Sequence, residues 1–352
     1  IEFAGRYDRA KKICITGSNG KTTTTSLIYY MLRNAGLNVG LGGNIGKSYA
    51  YQVATEDFDI YVLELSSFQL DGMYDFKADI AIILNITPDH LDRYDHKMQN
   101  YVRAKFRITR NMSEKDCFIF CDDDSVTVGH INEIVLRAKM LPFSEKHEVA
   151  EGAFADDKKI TVRYEGEEWS VPTEELSLKG KHNIYNSMAA AITGKIMNIT
   201  NDIIRRSLAT FENIEHRLEK VMSVRGVLYI NDSKATNVNS TWYALECMNR
   251  PVIWIAGGTD KGNDYSEIEP LVREKVKALI CMGKDNRKLH DFFGHIVSTI
   301  TDASSAREAV QKAYGLAEDG DVVLLSPCCA SFDLFKNYED RGRQFKAAVR
   351  EL

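Results

Sequence analysis

Residues 16–23 read Thr-Gly-Ser-Asn-Gly-Lys-Thr-Thr, between an apolar run (Ile13-Cys14-Ile15) and a helical pattern from Thr22 to Asn34. Strand, glycine loop, lysine, hydroxyl and helix in that order form a phosphate cradle. Gly17, Ser18, Asn19 and Gly20 offer backbone N–H groups, and Lys21 adds positive charge. Thr22 and Thr23 open the helix, and the Thr22 hydroxyl is placed to reach a nucleotide's magnesium. The usual pattern carries another glycine five positions before the Gly-Lys pair, where Ile15 stands, so this is a tighter G-x-x-G-K-T form. The bland alternative, a glycine turn before a surface helix, leaves the lysine and the threonine run unexplained.

Other residues could join such a site. Glu64 closes the run Tyr61-Val-Leu-Glu, followed by Leu65-Ser-Ser-Phe-Gln. A carboxylate inside an apolar strand is costly unless a cation meets it, and nucleotide-bound magnesium or a neighbouring lysine would serve. Asn85-Ile-Thr-Pro-Asp-His-Leu-Asp92 holds His90, a metal ligand or an ordinary loop histidine, with Asp89 and Asp92 available to orient it. Lys105, in the helical pattern Tyr101–Arg107, reads by itself as a solvated surface lysine. Three polar loops follow strands in the second half: Asn231–Asn237, with Asp232, Ser233, Lys234 and Thr236; Gly257–Gly262, with Lys261; and Ser326–Ser331. Polar loops at the strand ends of one sheet make a site for an anionic ligand.

The elements that must position these residues alternate. Strands are expected at Lys12–Thr16, Asp59–Leu65, Ala78–Ile86 and Cys117–Cys121. Ala81-Ile-Ile-Leu-Asn-Ile is apolar enough for a parallel strand covered on both faces. Ile160–Tyr164 and Glu168–Val171 read as an antiparallel hairpin, with helices at His182–Met197 and Asp202–Leu208. Beyond Thr210–Arg217 a new alternation begins. Strands are expected at Val227–Ile230, Val252–Ala256, Ala278–Met282, Ile296–Ile300 and Val322–Leu325, and helices at Val238–Met248, Glu267–Val276 and Ala303–Leu316. The fold class is α/β: a P-loop-type domain with a mainly parallel sheet and a small antiparallel hairpin (residues 1–213), then a Rossmann-like α/β domain (residues 214–352).

The 352 residues are 44% hydrophobic and 27% charged, which suits a globular protein of at least two cores. A net charge of −5 gives no electrostatic reason to expect nucleic acid or an anionic membrane as partner. Seven cysteines without a C-x-x-C pair argue against a structural zinc and for a reducing, cytoplasmic setting.

These segments closely resemble the Mur ligases, the ATP-dependent amide ligases that build the peptidoglycan peptide. The resemblance runs through Thr16–Thr23, Gly43–Gly46, Glu64–Leu70, Asn85–Tyr94, Ala104-Lys105, His182–Asn186, His216-Arg217, Asn231–Asn237, Gly257–Gly262 and Ser326–Arg343. Glu64–Leu70, Asn231–Asn237 and Cys329–Asn337 are most similar to the branch adding D-glutamate to UDP-N-acetylmuramoyl-L-alanine. The Asp-Asn-Pro-Arg motif of the diaminopimelate- or lysine-adding branch is absent. Phe332 and Tyr338 depart mildly from the family pattern.

The resemblance implies a mechanism through an acyl phosphate. ATP would lie on Gly17–Thr23, with contacts from Asn183, Asn186, Arg217 and Asp232. Thr22 and Glu64 would bind one Mg2+; His90 and a carbamylated lysine at Lys105 would bind a second. Lys21, Glu64, His90, Lys105 and Lys234 would be catalytic. Asn44, Ser66 and His90 would face the acceptor, and Thr236, Lys261, Ser331, Phe332 and Tyr338 the D-glutamate, with catalysis requiring domain closure. The partners would be small molecules, with no nucleic acid or membrane, and the protein a monomer. Alternatives are another Mur ligase, a folylpolyglutamate synthase-like ligase, or a nucleotide-binding module without catalysis. Family members carry a UDP-binding domain before the phosphate loop, yet only about a dozen residues precede it here, too few for a strand–helix unit. The expectation is a fragment that binds nucleotide with magnesium and has weak or no ligase activity.

Overall fold

Strand β1 (Lys11–Thr16) lies inside a nine-stranded sheet, its outermost residue exposed and the other five buried. The computed structural model describes residues 1–89, 91–211 and 215–352, which divide into two units, Ile1–Glu212 and Asn213–Leu352.

In the first unit α1 (Glu2–Gly5) precedes β1. There follow α2 (Lys21–Asn34), β2 (Val39–Gly43), α3 (Tyr49–Thr55), β3 (Ile60–Glu64), α4 (Ser67–Asp71), β4 (Ile80–Ile83), α5 (Met98–Phe106), β5 (Cys117–Cys121), α6 (Ser125–Ile131) and β6 (Lys139–Ser144). Then come β7 (Gly152–Ala155), β8 (Lys159–Tyr164), β9 (Glu167–Pro172), α7 (Lys181–Ile196) and α8 (Asn201–Thr210). The sheet order is β2-β3-β1-β4-β5-β6-β7-β8-β9. Pairs from β2 to β7 are parallel; β7–β8 and β8–β9 are antiparallel. Because β1 sits between β3 and β4, strand order reverses beside its carboxyl end, the place where open α/β sheets bind ligands. The expected hairpin is β8–β9, and its turn residues Glu165 and Gly166 both take positive φ (50° and 80°), as two-residue hairpin turns require.

Strands β2, β6 and β7 were not expected. The glycines of Val39-Gly-Leu-Gly-Gly and Pro142 within β6 hide strands that only pairing with neighbours reveals. The expected strand Ala78–Ile86 is shorter, because beyond Ile83 the backbone turns to the glycine loop: Ser18 N donates to Asn85 O at 2.9 Å.

The second unit holds β10 (Glu219–Val224), β11 (Val227–Asn231), α9 (Val238–Glu246), β12 (Val252–Ala256), α10 (Glu269–Lys275) and β13 (Val276–Met282). It continues with α11 (Arg287–Phe293), β14 (Ile300–Ala303), α12 (Ala306–Leu316), β15 (Val322–Leu325) and α13 (Tyr338–Arg350). Its sheet order is β10-β11-β15-β12-β13-β14, antiparallel only at β10–β11. Alternation along β12 feeds a core on each face: Val252, Trp254 and Ala256 on one, Ile253 and Ile255 on the other. The strand expected at Ile296–Ile300 begins only at Ile300, since Val297 is spent on the core under α11. Here β15 lies between β11 and β12, so the three polar loops leave adjacent strands.

Candidate active site

The glycine loop turns tightly into the N-terminus of α2. Gly17 and Gly20 take φ of 150° and 82°, and Gly20 caps α2 in the left-handed region. A Cβ on Gly20 would lie 2.4 Å from Asn186 Oδ1, so a larger residue there would strain the backbone and displace that side chain. The Asn186 Oδ1 also accepts from Thr24 Oγ1 at 3.0 Å, and its amide donates to Asn183 Oδ1 at 3.0 Å. Asn183 and Asn186 are both buried on α7, and Asn186 lies beside the loop. Lys21 Nζ donates to Gly17 O and Ser18 O, both at 2.8 Å, folding over the loop it charges. Thr22 and Thr23 are buried in the first turn of α2.

Around this loop lies a group of charges. Glu64, 1% exposed at the end of β3, accepts on Oε1 from the Asn44 amide at 2.9 Å, and Glu64 O accepts from Asn44 N at 2.8 Å. Ser66 caps α4 in a capping box with Gln69, a structural duty that accounts for its hydroxyl. Lys105 corrects the plain reading of its position. It is not a solvated surface lysine: it is 1% exposed on α5, with Nζ donating to Gly17 O at 2.8 Å and lying 4.6 Å from the Tyr101 ring centroid. Burial, then the Lys21 charge, holds its pKa well below the usual lysine range, against the opposing pull of Asp89 and Glu64. Lys21, Glu64, Asp89 and Lys105 therefore share one electrostatic neighbourhood. His90 lies outside the described residues.

In the second unit the carboxyl ends of β11, β15 and β12 carry the polar loops. Asp232 is buried; it accepts from Ser326 Oγ at 2.9 Å and from Leu218 N at 3.2 Å. Burial pushes its pKa up to about 7, while the Ser326 hydrogen bond and the Arg217 charge resist. Lys234 Nζ lies 5.2 Å from the Tyr338 ring centroid, and its backbone N donates to His216 O. Thr259 and Ala330 exchange backbone hydrogen bonds, joining the Lys261 loop to the loop of the buried Ser331. Thr236 is half-buried; Lys261 is exposed and Phe332 is 74% exposed. Lys21, Glu64 and Lys105 thus lie together about the glycine loop, and Asp232, Lys234, Thr236, Lys261 and Ser331 lie on loops that leave three adjacent strands, whereas Arg217 precedes β10 and Tyr338 opens α13.

Residues 15–194 match the Mur ligase middle domain, and residues 216–329 match the Mur ligase glutamate ligase domain. The chain belongs to the Mur ligase family. It is similar to proteins named UDP-N-acetylmuramoylalanine–D-glutamate ligase from Bacteroides fragilis, 58% identical over the whole chain and 79% of the relative, and from Bacteroides thetaiotaomicron, 57% identical with the same coverage. Solved structures share the fold. A pseudomurein peptide ligase type C from Methanothermus fervidus is 19% identical with a TM-score of 0.72, over 99% of this chain and 80% of that one. A MurF ligase from Thermotoga maritima in complex with ADP is 17% identical with a TM-score of 0.70, over 99% and 83%. As a Mur ligase the chain is an enzyme of a family that uses ATP and Mg2+ in peptidoglycan-precursor synthesis.

Two residues of this Mur ligase escaped the sequence reading. Asn85 clamps the glycine loop: its Oδ1 accepts from Asn19 N at 2.9 Å and its amide donates to Asn19 O at 3.2 Å. The signal available was a polar residue inside the apolar run Ile82–Ile86. Arg341, 0% exposed in α13, had no such signal, because helical arginines are ordinarily solvated.

Proposed function

We propose that this Mur ligase couples ATP cleavage to amide formation between the carboxylate of UDP-N-acetylmuramoyl-L-alanine and the amine of D-glutamate. The observation that carries the chemistry is the buried Lys105 amine on Gly17 O, in the electrostatic company of Lys21 and Glu64. The choice of D-glutamate is supported by relatives 52–58% identical across the chain that bear that enzyme's name.

ATP with magnesium supplies the phosphoryl group and the charge neutralisation its transfer needs. The N-terminal end of α2 and the Lys21 ammonium would hold and offset phosphate charge as the γ-phosphoryl passes to the acceptor carboxylate, the N–H groups of Ser18 and Asn19 being spent on Asn85. The D-glutamate amine then attacks the acyl carbon, phosphate leaves with the C–O bonding pair, and the amine loses a proton. Thr22 and Glu64 would hold the first metal, a fit supported by a buried carboxylate that has no apolar reason to be at the end of β3. His90 and a carbamylated Lys105 would hold the second. Carbamate formation joins Nζ to the carbon of CO2 and releases a proton, so it requires the neutral amine that burial favours.

Asn183, Asn186, Arg217 and Asp232 would contact ATP. Lys234 would assist transfer, Asn44, Ser66 and His90 would meet the acceptor, and Thr236, Lys261, Ser331, Phe332 and Tyr338 would hold D-glutamate. All seven cysteines are free thiols, which suits action in the cytoplasm on small molecules. The reading is tested by phosphate release from the full-length protein with the UDP-linked acceptor and a panel of amino acids. Release that depends on D-glutamate is expected; equal release with L-alanine, diaminopimelate or D-alanyl-D-alanine would refute it.

A further inference from the structure

The side chain of Arg341 reaches three loops at once. Its Nε donates to Ser233 Oγ at 3.0 Å and its Nη2 to Ser233 O at 2.8 Å, in the loop after β11. Nη1 and Nη2 both donate to Cys329 O at 3.2 Å, in the loop after β15. Nη1 also donates to Gly257 O at 3.4 Å, at the start of the loop after β12. Ser233 Oγ passes the connection on to Tyr338 O at 2.8 Å. The loops are packed tightly around the guanidinium: a Cβ on Gly258 would meet Ala330 O at 2.1 Å and Nη1 at 3.3 Å.

These contacts lie a few residues from every side chain assigned above to the amino-acid site. Ser233 adjoins Lys234 and precedes Thr236, Gly257 precedes Lys261, and Cys329 precedes Ser331. Among the described residues no carboxylate makes an ion pair with Arg341. Burying a cation among carbonyls and a hydroxyl is costly, and an apolar side chain would fill the space more cheaply. What an apolar residue cannot do is tie three loops together through their carbonyls. The five-donor fork of a guanidinium can, and a lysine ammonium, with three donors on one atom, cannot span all of them.

We propose that Arg341 is the positioning residue of the D-glutamate site, setting the spacing of the loops that carry Lys234 and Thr236, Lys261, and Ser331. This rests on the ligase reading above. A residue that serves folding alone would, on substitution, lower the melting temperature and the fraction of active enzyme while leaving each KM where it was. A positioning residue moves the KM of the ligand whose site it sets.

The experiment is steady-state kinetics of the full-length protein for wild type, Arg341→Lys, Arg341→Gln and Ser233→Ala, with circular dichroism on each. In both Arg341 variants the KM for D-glutamate is expected to rise about tenfold or more, since displacing site groups by about 1 Å has effects of that size and larger. The KM for ATP is expected to move by a smaller factor, since of the groups placed at ATP only Asp232 lies in a loop that Arg341 holds. Arg341→Lys should resemble Arg341→Gln, because charge without the fork does not span the loops. Ser233→Ala, which removes one leg, should shift the same constant in the same direction by a smaller factor. Folded variants with an unchanged D-glutamate KM would overturn the proposal, as would equal shifts in both constants. If the Arg341 variants do not fold, Ser233→Ala decides alone: an unmoved D-glutamate KM in it overturns the proposal. Wild-type turnover indifferent to D-glutamate would instead bring down the ligase reading, a result visible before any variant is made.

Discussion

Lys105 shows what a residue's surroundings do to its chemistry. In the string Arg103-Ala-Lys-Phe-Arg107 it resembles its basic neighbours, whereas in the fold it is sealed against Gly17 and its charged form is disfavoured. Lys105→Ala is expected to abolish phosphate release, and short carboxylic acids should restore part of it by standing in for the carbamate oxygens. Full activity without rescue would remove the carbamate from the mechanism. Lys21→Ala should eliminate ATP–Mg2+ binding by titration calorimetry, since it removes the loop's only side-chain cation; an unchanged affinity would contradict the loop assignment. Asp232 yields a pH prediction. Its folded pKa of about 7 lies above the roughly 3.9 of an unfolded aspartate, so the folded unit retains a proton the unfolded chain has released. That contribution to stability is complete below about pH 4 and is lost as pH rises through about 7. Denaturant midpoints measured from pH 4 to 8 should fall for wild type and flatten for Asp232→Asn; parallel curves would refute the shift.

At the scale of elements, the glycine loop is held in shape by its neighbours. The segment after β4 supplies Asn85 to one side, and α7 supplies Asn186 to the other. Gly20→Ala forces a side chain onto a φ of 82° and onto Asn186 Oδ1 at 2.4 Å. A loss of about 1–3 kcal/mol in stability is expected from backbone strain of this kind. The affinity for ATP–Mg2+ should fall with it, as followed by thermal melts and calorimetry. Normal affinity would mean that the loop can shift without loss of the cradle. The strand–loop–helix was legible from Ile13 to Asn34 because its pattern is local. Strands β2, β6 and β7 were not legible, since their glycines and proline contradict strand propensity until partner strands supply the hydrogen bonds.

For the whole molecule, two units with separate cores should melt separately in scanning calorimetry. ATP–Mg2+ should raise the melting temperature by an amount that grows with ligand concentration. The residues proposed for the phosphate chemistry were legible in the sequence, because a glycine loop, its lysine and its helix are neighbours along the chain and need only short-range geometry. Tertiary structure decided which distant residues meet that chemistry. Sheet order put β15 between β11 and β12 and so made three loops adjacent. Burial turned Lys105 from a surface cation into a candidate carbamate, and it placed Arg341 where its fork spans all three loops. The reason is physical: desolvation and long-range register depend on what packs around a residue, and no local pattern in the chain encodes that.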